Sequence, residues 1–525
     1  MKLVKSLMLG SAAGLVVMSG AQAADLPVKA KAVEYVKICS LYGAGFYYIP
    51  GTDTCIKLGG YLRAEIVGNS NNDYGGSYNG QGGANNRFTN GFTWRARQDL
   101  SVDTRTATEY GVVRTFSEFT LSWTDDSFAI PAGETRGNTL YSSIAGTAGA
   151  NSNNASSGNV AGGTLGVYYA YIQFAGFTIG KAISEFSTNW QNYPANNFDA
   201  LVGGGGAVTG VNQFTYTWQL GNGVSAAFSI QDPTAYFQAG VANLGALSGV
   251  GVPTGVNGAF GTSDYAGTMA PDFIGTFTID QAWGYFKFSV AAHDNHAAYY
   301  LATEPSGHPS DRWGGAVQAG FTIKNIPTGP GDTFNFQAVY TDGATRYNIQ
   351  DLSPLNSVTV YGGSNFAYQS VALAAAPDTV FINGGQQQLT QTWGLRGGYN
   401  HNWDPYWSSG IYGAYAQVMF NSTAKTEICG AFIGAFGQLS ANGAAVGANV
   451  TTCNPNYNIG QLGFITRWTP VKNLTFSADA VWTNIDIKSI GTVAAPSAAV
   501  GKPVALYELK DQNTWTFLLR AQRNF

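Results

Sequence analysis

The residues best suited to chemistry in this chain are arginines. Arg63, Arg95, Arg97, Arg114 and Arg520 each stand in a run where polar and apolar residues alternate. A guanidinium keeps its charge at any physiological pH and offers a rigid fork of donors. Several on one wall would hold or steer anions with no bond made or broken. Glu185 and Asp199 supply the opposite charge from a stretch that also holds Asn189, Asn192, Asn197 and the run Gly203–Gly206. Covalent chemistry finds no comparable support. His293 and His296 form an H-x-x-H with no third ligand at metal spacing, which reads as solvated loop histidines. The glycine run has no following Lys-Ser/Thr and no helix, which excludes a phosphate loop. No G-x-S-x-G elbow is present, and His401 falls in a turn. No catalytic residue, metal site or cofactor is expected.

The elements that position these groups follow from composition and periodicity. The 525 residues are 45% hydrophobic, 14% aromatic and only 11% charged, against about 25% charged in an ordinary soluble protein. With 12 Trp, 29 Tyr and 30 Phe, the chain cannot be disordered. A net charge of −4 gives no basic face for nucleic acid. Lys2 and Lys5, an apolar run from Leu7 to Val17 and Ala21-Gln22-Ala23 read as a signal peptide over residues 1–23. No later segment holds 18 consecutive apolar residues, so any membrane crossing must be made by strands.

Period-two alternation fills the rest. Phe214, Tyr216, Trp218 and Leu220 interleave with polar residues, and after Gly221-Asn222-Gly223 so do Val224, Ala226, Phe228 and Ile230. Asn-Gly between two such runs is a hairpin signal. The same reading predicts sixteen strands: 56–67, 91–103, 109–123, 163–174, 176–183, 213–220, 224–231, 273–280, 283–292, 313–324, 333–341, 391–400, 409–420, 459–468, 474–484 and 513–525. No helix is expected. Short turns alternate strictly with long loops, the pattern of a barrel with periplasmic turns and extracellular loops. The fold class is therefore all-β: a 16-stranded antiparallel transmembrane β-barrel over residues 56–525, after an N-terminal periplasmic segment at 24–55. The last strand carries Trp515, Phe517, Leu519 and Ala521 on one face and ends on Phe525, which looks like an outer-membrane assembly signal.

The segment from Val33 to Tyr61, with Cys39-Ser40-Leu41-Tyr42-Gly43-Ala44-Gly45-Phe46-Tyr47-Tyr48-Ile49-Pro50-Gly51 at its centre, closely resembles the opening of alphaproteobacterial porins, the general-diffusion porins of rhizobia, Brucella and their relatives. Tyr171–Gly180, Asp280-Gln281-Ala282-Trp283-Gly284 and Phe525 extend the resemblance. It implies a homotrimer in outer-membrane lipid and lipopolysaccharide, delivered by the assembly machinery, passing small hydrophilic solutes. It also implies that the third long loop, 184–212, folds inward as a constriction. Loops 124–162 and 342–390 look unusually long, and the resemblance leaves their roles open.

If apolar positions face lipid, the alternate set faces water. Arg63 and Glu65, then Arg95, Arg97, Asp99 and Asp103, then Arg114 and Glu118, and finally Arg520 fall on the inner face. Closure makes these strands neighbours, so the five arginines form a basic wall opposite Glu185 and Asp199. The alternative is local pairing with Glu65, Asp99 or Glu118. Four cysteines in an exported chain predict disulfides. Of three connectivities, Cys39–Cys55 and Cys429–Cys453 are the local ones, with free thiols the alternative. Two other functions stay open: a substrate-specific channel, marked by an aromatic track not visible in the sequence, and a surface adhesin or receptor barrel.

Overall fold

In the computed structural model the described residues are 37–69, 92–125, 164–196, 201–205, 209–235, 239–245, 265–301, 303–349, 357–436, 449–497 and 502–525. The expected signal peptide and Asp199 fall outside them. Sixteen strands, numbered here β1 to β16, close into one antiparallel barrel. The first six are β1 (Cys55–Asn69), β2 (Phe92–Thr108), β3 (Gly111–Asp125), β4 (Thr164–Phe174), β5 (Phe177–Ala182) and β6 (Val211–Gly221). Then come β7 (Val224–Gln231), β8 (Asp272–Gln281), β9 (Gly284–Asn295), β10 (Arg312–Lys324) and β11 (Thr333–Asp342). The last are β12 (Gln391–Asn402), β13 (Trp407–Met419), β14 (Tyr457–Val471), β15 (Leu474–Ile487) and β16 (Gln512–Asn524). Pairing of β16 with β1, from Tyr61↔Asn524 to Asn69↔Thr516, closes the ring.

Alternation sets which face is which. Leu58, Leu62, Trp515, Phe517 and Leu519 are exposed on the outside, while Arg63, Glu65 and Arg520 are buried inside. An arginine on the lipid face near the midplane would cost about 2–4 kcal/mol. The β6–β7 turn is tight because Gly223 sits at φ +73°, where a Cβ would lie 1.9 Å from the Asp280 carbonyl oxygen.

Three features depart from the sequence reading. The inner faces of β13, β14 and β15 are largely apolar. Tyr412, Ala414, Ala416 and Val418, then Tyr457, Ile459 and Ile465, then Val481 and Ile485 all point inward and are buried. These strands carry apolar residues on both faces where the long loops cover them from within, in one core that also holds Leu201, Val202, Ile349, Val371 and Val380. Second, the loops build their own sheets. Ser357–Gly362, Gln369–Ala375, Lys502–Leu509, Ile490–Ser497 and Asn449–Thr452 form five strands in that order, and Gln388–Leu389, Thr379–Phe381 and Val241–Asn243 form three. Third, the loop after β13 contains a helix, α1 (Ser422–Phe436). Asn421 caps it, its Oδ1 accepting the Ala424 N–H at 2.8 Å. Ala424, Ile428 and Phe432 put one face into the core.

Cysteine pairing is local: Cys39 bonds Cys55 and Cys429 bonds Cys453. The first bond ties the N-terminal segment to β1 with Phe46 packed on it. The second joins α1 to the strand Asn449–Thr452 region.

Candidate functional site

Cross-strand register assembles a charged row across the seam of the barrel. Arg467 on β14 lies opposite Ser477 on β15. Ser477 lies opposite Arg520 on β16, Arg520 opposite Glu65 on β1, and Glu65 opposite Arg95 on β2. Arg520 Nε donates to Glu65 Oε2 at 2.7 Å, and Arg95 pairs with Glu65 Oε1. Buried charges persist only when paired and hydrogen-bonded, and Glu65 serves as that partner twice.

One step toward the short turns, Arg63 lies opposite both Gln522 and Arg97. Arg63 Nε donates to Gln522 Oε1 at 2.9 Å, and its guanidinium stacks 4.5 Å over the Tyr61 ring. Arg97 donates to Ser122 Oγ at 2.8 Å and to the Tyr168 hydroxyl at 2.7 Å. Nearer the turns, Arg114 and Arg105 share Asp103, each with an Nη2 3.0 Å from Oδ2. Of the five predicted arginines, Arg95, Arg114 and Arg520 are therefore ion-paired with carboxylates of their own wall. Tyr61, Tyr168, Tyr169, Tyr171 and Phe116 stand among them; Phe116 lies 5.4 Å from Tyr171, and Arg114 stacks on both. That aromatic strip was missed because its bulge, between Glu118 and Phe119 against β4, brings Tyr168 and Tyr169 to the same side.

The segment between β5 and β6 turns inward and lies on the other half of the wall. Gln318 on β10 donates to the Phe186 carbonyl. Asn335 on β11 donates to the Tyr193 carbonyl at 3.2 Å. Arg396 on β12 donates to Asn192 Oδ1 at 2.8 Å and stacks on Trp190. On β14, Gln461 accepts from Val202 N–H at 2.9 Å, and Arg467 donates to the Pro194 carbonyl. Asp479 on β15 accepts from Asn196 N–H at 3.1 Å, and Arg520 on β16 donates to Asn196 Oδ1 at 2.8 Å. Close contact needs Gly203, at φ +84°, where a Cβ would sit 2.2 Å from the Leu395 carbonyl oxygen. At its start Gln213 on β6 donates to the Ile183 carbonyl at 2.8 Å and Ser184 Oγ donates to Gln231 on β7 at 2.8 Å, so the described part of the loop is held from β6 round to β16.

Glu185 does not meet the arginine wall. Its carboxylate lies 3.4 Å from Lys287 Nζ on β9, the strand opposite β1 in a ring of sixteen. Lys287, Arg396 and Arg467 are inner-face cations that the sequence reading passed over. The alternation that exposed Arg520 also marks them: Arg467 shares its face with Gln461, and Arg396 alternates with Leu395.

The histidine reading is corrected too. His293 is buried, not solvated. Its Nδ1 lies 2.7 Å from Asp272 Oδ1 and its Nε2 2.8 Å from the Tyr265 hydroxyl, which also reaches Asp378 Oδ2 at 2.8 Å. Burial pushes the Asp378 carboxyl above its ordinary range, against the pull of His293. Tyr347 donates to Asp272 Oδ2 at 2.6 Å, and its ring packs 4.5 Å from Phe186 of the inward loop. The cluster therefore fastens the loop after β11 to the inward loop. Among the described residues no group of three or more His, Cys, Asp or Glu is placed to hold a metal ion.

A closed sixteen-stranded barrel, apolar outside, charged along part of its bore and narrowed by an inward loop, is the build of an outer-membrane channel. The comparisons agree. The profile of the porin subfamily matches residues 25–518, and the chain belongs to that family. Porin Omp2b of Brucella neotomae is 32% identical over 365 residues, covering 65% of this chain and 85% of the relative. Porin Omp2b of Brucella suis is 31% identical over 358 residues with the same coverage. Among solved structures, the outer membrane channel DcaP of Acinetobacter baumannii shares the fold at TM-score 0.54 and 14% identity, over 91% of this chain and 99% of that one. The protein is a porin of the bacterial outer membrane, a channel for diffusion.

Proposed function

We propose that small hydrophilic solutes and ions cross by passive diffusion through the bore, past the arginines of β1, β2, β3 and β16. The supporting observation is the seating of the inward loop among the described residues: its hydrogen bonds run from Gln213 and Gln231 round to Arg520, while Arg63 bonds Gln522 and Arg97 bonds Ser122 and Tyr168 of the wall itself. In this reading Arg63, Arg95, Arg97, Arg114 and Arg520 are the pore-lining basic wall. Glu185 and Asp199 are the acids of the loop, with Glu185 neutralised by Lys287 rather than facing the wall. The trimer, the lipopolysaccharide contact and delivery through the strand ending in Phe525 belong to the same proposal, as do the signal peptide at 1–23 and the periplasmic segment at 24–55.

A second reading, a substrate-specific channel, gains support from the Tyr61, Tyr168, Tyr171 and Phe116 strip with its stacked arginines. Planar-bilayer recording of the refolded protein in symmetric KCl tests both. Ohmic, stepwise current with a linear dependence on added neutral sugar supports general diffusion. Saturable sugar block supports the specific channel, and silence from folded protein refutes both in favour of an adhesin or receptor. Arg63→Gln and Arg97→Gln are expected to move the reversal potential toward cations in a KCl gradient.

A further inference from the structure

The inward loop and the charged row meet at one point, and the donors there outnumber the acceptors. Arg467 and Arg520 flank Ser477 on adjacent strands, which separates their Cα atoms by about 10 Å. Both guanidiniums reach one short stretch of the loop: Arg467 donates to the Pro194 carbonyl and Arg520 Nη1 to Asn196 Oδ1 at 2.8 Å. Each has a further N–H left over. Arg520 Nη2, Arg467 Nη1 and Asn196 Nδ2 are buried and have no acceptor among the described residues. Arg520 is 9% exposed and Asn196 6%. A buried donor without a partner costs about 1–3 kcal/mol, more when charged, so three converging on one place mark a position for an acceptor.

Charge points the same way. Arg63, Arg95, Arg467 and Arg520 surround Glu65 and Asp479. Glu65 is consumed by Arg95 and Arg520. Asp479 takes the Tyr412 hydroxyl at 2.5 Å and the Asn196 N–H at 3.1 Å, and its field also reaches Arg467. Among the described residues these four cations outnumber these two carboxylates by two. We propose that this pinch, between Pro194–Asn196 and the β14–β16 wall, is a station that binds one small oxyanion, a carboxylate or phosphate group, beside the diffusion path. Arg467 Nη1 and Arg520 Nη2 each donate to one oxygen, Asn196 Nδ2 donates to a third oxygen of a phosphate or shares one of a carboxylate's two, and the buried Ser477 hydroxyl lies between them. This rests on the diffusion reading and adds to it a saturable site.

The test is single-channel current of the full barrel in KCl with inorganic phosphate, and separately acetate, added on both sides. A chloride current that falls along a saturating curve is expected, with phosphate and acetate half-saturations telling which group fits better. Loss of one charged donor should raise the half-saturation in Arg467→Gln by about tenfold or more. Lys324→Gln, at the far surface beside Asp280, is expected to match the parent. Current that varies linearly with either anion, or block unchanged in Arg467→Gln, overturns the proposal while leaving diffusion intact. A folded parent with no current at all removes the diffusion reading itself. If Arg467→Gln does not fold, judged by heat-shifted electrophoretic mobility, Asn196→Asp decides, because it sets a carboxylate where the anion's oxygens would lie. Retained block in that variant overturns the site.

Discussion

Arg520 and Glu65 face each other across the seam that closes the barrel, as Cα partners of β16 and β1 joined by a 2.7 Å charge-assisted bond. The same carboxylate holds Arg95 from β2. The last strand, the first and the second are thus joined by one buried acid as well as by their backbone ladders.

Removing that acid leaves two guanidiniums without their shared partner. Glu65→Gln is expected to cost about 3–5 kcal/mol, as breaking a buried ion pair from one side does. A lower urea midpoint of the refolded barrel in lipid vesicles checks it. A reversal potential moved toward anions is expected from the same variant, since the wall gains net positive charge.

Tyr347 couples the outer loops to the constriction, through Asp272 on one side and Phe186 on the other. Tyr347→Ala removes the ring and the bond, and an aromatic truncation in a core costs about 3–5 kcal/mol. Larger and noisier single-channel current is expected as the inward loop loosens. Tyr347→Phe, which keeps the ring, is expected to leave the conductance near that of the parent.

The Cys39–Cys55 bond closes a 16-residue separation, worth about 3 kcal/mol on a chain-entropy estimate. The double substitution Cys39→Ser with Cys55→Ser is expected to lower the unfolding midpoint accordingly. It should leave conductance unchanged, because the bond lies at the turn end of β1, away from Glu65. Heat-shifted electrophoretic mobility separates this from a folding failure.

Asp332 supplies a pH prediction in the turn between β10 and β11. Its burial raises the carboxyl's pKa. Hydrogen bonds from Asn402 N–H, His401, Thr328 and Tyr399 outweigh that and hold it well below the ordinary carboxylate range. A depressed folded-state pKa stabilises above the unfolded value, about 3.9, and the contribution is lost as pH falls through the folded one. The stability gap between the parent and Asp332→Asn should therefore stay constant from neutral pH to about 5 and close as the pH drops further. Thermal melts across that range measure it.

The barrel was legible because its strands must alternate. Every predicted strand from 56–67 to 513–525 overlaps an observed one, and β7 matches at both ends. The inner faces of β13 to β15 were not legible. Tyr412, Ile459 and Val481 obey the alternation but carry apolar side chains inside, and the loops packed against them, with Leu201, Val371, Val380 and Ile428 in the same core, explain them. Helix α1 had local signals, the Asn421 cap and the Ala424, Ile428, Phe432 spacing, but from Cys429 to Phe436 every residue is apolar or small and hides the stripe. At the site, residue type and alternation gave Arg520 and Glu65. They gave no view of Glu185 against Lys287, or of His293 between Asp272 and Asp378, because those contacts join elements about 100 and 80 residues apart in the chain.

The apolar lining of β13, β14 and β15 gives this channel a thermodynamic trait of a soluble domain. A hollow barrel keeps its lumen wet, so unfolding exposes little new hydrocarbon there. Here Tyr457, Ile485, Val371 and their neighbours become hydrated only when the loops leave, and newly wetted apolar surface raises the heat capacity by about 0.45 cal/mol/K per Å². Release of the loop core should therefore become easier on cooling as well as on heating, with a stability maximum between.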